Sequence, residues 1–194
     1  MGTNRLEAFS DGVIAILITI MVLELRAPHE PTFEALRPLF PVFLSYLLSF
    51  VYLGIYWNNH HHMLHACQKV TGGILWANLH LLFWLSLVPF VTAWMGEDHF
   101  TAAPTALYGI VLLMAAIAYT LLQNCIVAVE GEASLLGRAV GGDRKGKASL
   151  VAYIVAISCS FFVPAVAHLL YVAVALMWLV PDTRIERTIS PASR

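Results

Sequence analysis

The chain has 194 residues, 59% of them hydrophobic and 12% charged, with a formal net charge of −1 and a mean hydropathy of +0.76. A soluble domain carries about 25% charged residues, so this chain has too little polar surface to cover a water-facing globule and belongs in a bilayer. The near-zero charge leaves no electrostatic footprint for nucleic acid, and the scattered cysteines Cys67, Cys125 and Cys159 make no disulfide framework and read as small apolar packing residues.

A bilayer-crossing helix needs about 20 mostly apolar residues. The first segment that qualifies, about 5–25, is "RLEAFSDGVIAILITIMVLEL", apolar from Val13 to Leu23 except for Thr19. Acidic residues precede the run and no small-x-small cleavage site follows it, so it reads as a retained span and not as a signal peptide. Pro28 and Pro31 then break the chain. The second span, about 39–61, carries "LFPVFLSYLLSFVYLGIYW"; Gly72 and Gly73 precede the third, about 74–95, which contains Pro89. The fourth runs about 104–129 and is followed by the polar loop "EGEASLLGRAVGGDRKGK". Residues 148–180 number 33, too many for one span, and Pro164 divides them into two short helices, about 148–163 and 165–180. The chain therefore reads as a single all-α membrane domain over residues 1–194, with six transmembrane helices.

Basic residues set the expected orientation. With both termini in the cytoplasm, the inner segments hold Arg5, Lys69, Arg138, Arg144, Lys145, Lys147, Arg184, Arg187 and Arg194, and the outer ones only Arg26 and Arg37. Nine against two is a strong positive-inside signal. It suits an even number of spans. Trp76 and Trp94 suit the interfacial ends of the third helix.

Ionisable residues inside a membrane are costly, and each calls for a partner and a function. Helix one holds Arg5, Glu7, Asp11 and Glu24. Arg5 and Glu7 can sit in the interface, whereas Asp11 falls just inside the apolar slab and needs a donor. Candidates are Trp57, Asn59, His60, His61, Asn78 and His80. At 100° per residue from Ile16, Ile20 and Leu23 fall at about 40° and −20°, a narrow aliphatic stripe. Ser10 at about 120° and Asp11 at about 220° lie away from it, whereas Arg5 lies near −20°. Thr19, near −60°, is the only hydroxyl beside the stripe, and Glu24 lies about 80° round. Periodicity alone leaves the stripe open to lipid, core or another role. Glu24 either flanks an external mouth and attracts cations or is a solvated helix end.

The run "WNNHHHMLH" places His61 and His65 one turn apart, a spacing that suits zinc. Cys67 points to another face and no carboxylate nearby in sequence completes a set, so interfacial histidines, one or two bonding Asp11, are the expected reading and no metal site is assigned. No G-x-S-x-G, H-E-x-x-H or P-loop occurs, and the chain is not expected to be an enzyme.

The opening segment resembles helix one of the bacterial relatives of the lysosomal potassium channel, the transmembrane protein 175 family. Its R-x-x-x-F-S-D signature is met by Arg5, Phe9, Ser10 and Asp11. "YWNNHH" at 56–61, Trp76, Asn78 and Pro89-Phe90 are also similar to the family pattern. The resemblance implies six helices per subunit in a homotetramer around a central pore lined by helix one. There is no T-V-G-Y-G filter, in keeping with the family. By position from Phe9, Ile16, Ile20 and Leu23 would form the constriction, with Thr19 and Glu24 flanking the pore. Arg5, Phe9, Ser10, Asp11, Trp57, Asn59, His60, His61 and Asn78 would brace the pore helix. Eukaryotic members carry two six-helix repeats per chain; this one has one, so four copies are needed.

The expected protein is a potassium-permeable cation channel of the bacterial inner membrane. Its partners are the lipid bilayer and three further copies, and it needs no cofactor beyond the permeant potassium ion. An apolar ring gates by dewetting and favours potassium over sodium only weakly, through the cheaper dehydration of potassium. The alternative is a proton or divalent-metal transporter using Asp11 and the helix-two histidines.

Overall fold

The computed structural model describes residues 2–131, 134, 136–137 and 144–179. Helix α1 spans Thr3–Ile20 and tightens into a 3-10 turn at Met21–Glu24. Beyond it the prolines forbid continuation, and the chain crosses to a second 3-10 segment, Glu34–Leu39, before α2, Phe40–His65. Pro41 sits in the first turn of α2, where its missing N–H costs nothing. The helix runs one turn past the expected end near 61, so all four of its histidines lie on helical backbone.

Helices α3 (Gly72–Ser86) and α4 (Val88–Glu97) are two halves of one span, interrupted at Leu87 beside Pro89. Thr71 caps α3, its hydroxyl accepting from the Ile74 N–H at 3.4 Å. Helix α5, Ala102–Glu130, is the longest of the described helices at 29 residues, about 43 Å. Helices α6 (Arg144–Ser160) and α7 (Pro164–Leu179) form a hairpin. The break falls at 161–163, just ahead of Pro164, because proline opens a helix well and cannot continue one. The expected end at Val180 lies outside the described residues.

Four stretches are long and apolar enough to cross a bilayer: Thr3–Glu24, Glu34–His65, Gly72–Glu97 and Ala102–Glu130. Helices α6 and α7, of 17 and 16 residues, are about 25 Å long, close to the lower limit for a span. The protein is thus an all-α membrane protein of six spans, the third built from two helical pieces.

Helix α5 is the hub, packed against α3, α4, α6 and α7, while α1 lies against α2, α3 and α4. Small residues allow close approach. A Cβ on Gly96 would meet the backbone of Val42, and one on Gly109 would land on the Tyr171 side chain. The centre is a set of bonded tyrosines. Tyr52 donates to the Tyr171 carbonyl at 2.7 Å, and Tyr171 to the Thr105 carbonyl at 3.1 Å. Ser49 bonds both Thr92 (2.6 Å) and Tyr108 (3.0 Å). Each of these hydroxyls, buried where no water can reach, thus finds a protein partner.

The two ends of the bundle are tied separately. At one end, Thr3 donates to the Cys67 carbonyl at 3.1 Å, and Glu130 accepts from the Gln68 and Lys69 N–H groups at 2.8 and 3.1 Å. Arg5, Lys69, Arg144, Lys145 and Lys147 sit at or beside this end. Arg26 and Arg37 flank the opposite end. Arg138, Arg184, Arg187 and Arg194 lie outside the described residues.

Candidate functional site

Helix α1 has two faces with different surroundings. Leu6, Ser10, Ile14, Leu17 and Met21 are buried, grouped around about 120° on an ideal wheel with Ile16 as origin. The aliphatic stripe turns the other way: Ile16 is 60% exposed, Ile20 40% and Leu23 73%. Thr19 beside it is exposed, and its hydroxyl donates to the Ile16 carbonyl at 2.9 Å. Glu24 is exposed in the 3-10 turn that ends the helix.

The buried face is held by a polar chain through three helices. Ser10 Oγ donates to the Leu6 carbonyl at 2.9 Å and accepts from Asn78 Nδ2 at 3.0 Å. Asn78 Oδ1 pairs with His60 Nε2 at 2.7 Å. Since Asn78 Oδ1 can only accept, Nε2 is the protonated ring nitrogen in this pair. Ser10, Asn78 and His60 are all 0% exposed. Nearer the edge, Trp57 Nε1 donates to Asp11 Oδ1 at 3.1 Å. His61 Nδ1 lies 2.6 Å from Glu7 Oε1. Three residues of α2 (Trp57, His60 and His61), one of α3 (Asn78) and three of α1 (Glu7, Ser10 and Asp11) therefore fix the rotation of α1. A helix turned by one residue would lose all three contacts that cross from α1, those of Ser10, Asp11 and Glu7.

The donor that Asp11 requires is Trp57, and none of His60, His61 and His80. His80 instead accepts from Trp84, one turn along its own helix, at 2.9 Å. Three residues expected in the bracing set stand apart from it. Asn59 turns back and donates to the Ile55 carbonyl of α2 at 2.8 Å, because an amide four residues beyond a carbonyl reaches it more readily than a neighbouring helix. Phe9 is 50% exposed, as its place one residue before buried Ser10 dictates. Arg5 is exposed, consistent with its position on the stripe side, and its side chain makes no ion pair or hydrogen bond among the described residues.

One further side chain carries the site beyond the expected set. Glu7, expected only to sit in the interface, is the carboxylate that reaches His61. The signal was available, since Glu7 and Asp11 are one turn apart and so share a face. Cys67 does not join the histidines. It is buried, its Sγ lies 3.6 Å from the Lys69 carbonyl, and burial with Glu130 nearby pushes its thiol up. A thiol held protonated at neutral pH is a poor ligand.

Comparison with known proteins follows the same residues. The family described as "Endosomal/lysosomal potassium channel TMEM175" matches residues 5–89, which contain the stripe, the polar chain and the Glu7–His61 pair. A protein named as a potassium channel in Chryseobacterium sp. (strain P1-3) is 54% identical over 189 residues, covering 97% of this chain and 98% of that one. The crystal structure of a "lysosomal potassium-selective channel TMEM175 homolog" from Chamaesiphon minutus superposes with a TM-score of 0.80 at 27% identity, over 92% of this chain and 96% of that one. A Gallus gallus protein named as an endosomal/lysosomal proton channel is 34% identical over 83 residues, 37% of this chain and 17% of its own length. The helix order, the family match over residues 5–89 and the near full-length relative agree: this chain belongs to the TMEM175 family.

Proposed function

We propose that this chain is a potassium-permeable cation channel, non-enzymatic, working as a homotetramer in the bacterial inner membrane with both termini in the cytoplasm. Four copies of α1 would surround the pore, with Ile16, Ile20 and Leu23 as the constriction. The observation that carries this reading is the division of α1 into a clamped polar face and a free aliphatic stripe. The family membership gives that division a use. Three aliphatic layers along about 10 Å of helix offer an ion no ligand to replace its hydration shell, so the closed ring excludes water and gates by dewetting. Opening must widen the ring until a partly hydrated ion passes. Potassium loses water more cheaply than sodium, so the preference between them is weak. Arg5, Ser10 and Asp11 play no part in ion contact; Ser10 and Asp11 hold the helix whose other face meets the ion.

The test is flux through the purified protein in liposomes under a potassium gradient, with sodium as comparison. Potassium flux exceeding sodium flux by a modest factor is the expected result. No flux of either ion through correctly inserted protein would refute the channel. A proton reading draws on the Glu7–Asp11–His61 grouping and on the relative named as a proton channel. It predicts that a pH gradient alone dissipates in the same liposomes.

A further inference from the structure

Beside the buried polar chain, at the end of the bundle where α1 begins, Glu7, Asp11 and His61 converge from two helices. Each offers one ligand atom, and these atoms all lie within 4.8 Å of one another. All three residues are half-buried, open enough for an ion to enter from water. Trp57 holds Asp11 Oδ1, which orients the carboxylate and leaves its second oxygen for an ion, as the outer partners of metal ligands do. A second observation marks the same place. His60, adjacent to His61 and fully buried, is within electrostatic reach of Asp11, Glu7 and His61. Its Nδ1 is the one buried side-chain polar atom without a partner among the described residues.

We propose that Glu7, Asp11 and His61 form a divalent metal site of the zinc class that ties α1 to α2, and that its occupancy lowers ion flux. Two carboxylates and an imidazole are a donor set for zinc, with the remaining coordination left to water. They supply too few oxygens for calcium, which takes six to eight. The ion replaces the proton between His61 Nδ1 and Glu7 Oε1, and the two atoms separate from hydrogen-bond distance as each turns to the metal. Binding therefore releases a proton and weakens as pH falls. The metal bridges the pore helix to its neighbour, so the movement that widens the constriction must stretch or break it. This second half of the proposal rests on the channel reading; the site does not.

The test uses two readouts on the full chain. In detergent, cobalt(II) is titrated into the protein by visible absorption and displaced with zinc. In liposomes, the ratio of potassium flux with zinc to flux without it is measured within each variant. Saturable binding of one ion per chain, weakened by about tenfold or more in both Glu7→Gln and His61→Gln, is the expected result. The wild-type flux ratio should fall well below one, and rise toward one in both variants. No saturable binding, or binding unchanged in both variants, would overturn the site. Variant-sensitive binding with an unchanged wild-type flux ratio would overturn the regulatory half. Intact binding with no flux in metal-free wild type would overturn the channel reading and leave the site standing.

Discussion

Liposomes carrying the Ile16→Asn variant should pass both potassium and sodium faster than wild type, with a smaller preference between them. Ile16 is 60% exposed on the free face of α1, so the substitution disturbs no packing within the subunit. In the proposed tetramer it places four amides where four aliphatic side chains met. An amide donates and accepts hydrogen bonds, so water enters the ring and the ion keeps more of its shell there. Lowering the barrier by about 1.4 kcal/mol raises flux tenfold, and wetting one of three apolar layers should give at least about that. Selectivity falls because the dehydration step that separates the two ions is relieved. Unchanged conductance in this variant would remove Ile16 from the pore.

Asn78→Ala should damage the subunit itself. Asn78 is the middle of the chain from Ser10 to His60, and its amide serves both neighbours at once. Without it, His60 keeps neither ring nitrogen bonded, because Nδ1 already has no partner among the described residues. Leaving a buried polar group unsatisfied costs about 1–3 kcal/mol, and the missing amide leaves a cavity as well. The protein in detergent should melt at a lower temperature and lose the assembled fraction on size exclusion. Asn59→Ala is the comparison. Its side chain donates to the carbonyl of Ile55 in its own helix and not to α1, so the change should stay within about 0.5 kcal/mol. Equal damage from the two substitutions would mean that the polar chain does not hold α1.

Those paired substitutions also show where sequence reading reaches and where it stops. The six spans follow from apolar run length and from Pro89 and Pro164, because a bilayer accepts little else. The stripe of Ile16, Ile20 and Leu23 follows from periodicity, which is local. The family resemblance gives the stripe a role that periodicity cannot. The partners of α1 were legible only as a set of candidates. Trp57, Asn59 and His60 lie within one turn of α2, and a rotation of about 100° between adjacent residues decides which of them faces α1. That rotation depends on how α2 packs on α4 and α7, which no local pattern encodes. Hence Trp57 rather than a histidine reaches Asp11, and Asn59 folds back on its own helix. The Glu7–His61 pair joins residues from the first and second helices, and only the packed bundle brings them to 2.6 Å.

The claim that α1 lines the pore is tested most directly by a cysteine at Ile20. In a background with Cys67, Cys125 and Cys159 replaced by serine, Ile20→Cys would be compared with Leu169→Cys, which lies on α7 and is 70% exposed. Silver ions, which react with thiols, would be added during potassium flux from liposomes. The account predicts rapid block of Ile20→Cys and no block of Leu169→Cys. Flux that proceeds unaltered through the Ile20→Cys protein after its thiol has reacted would contradict it.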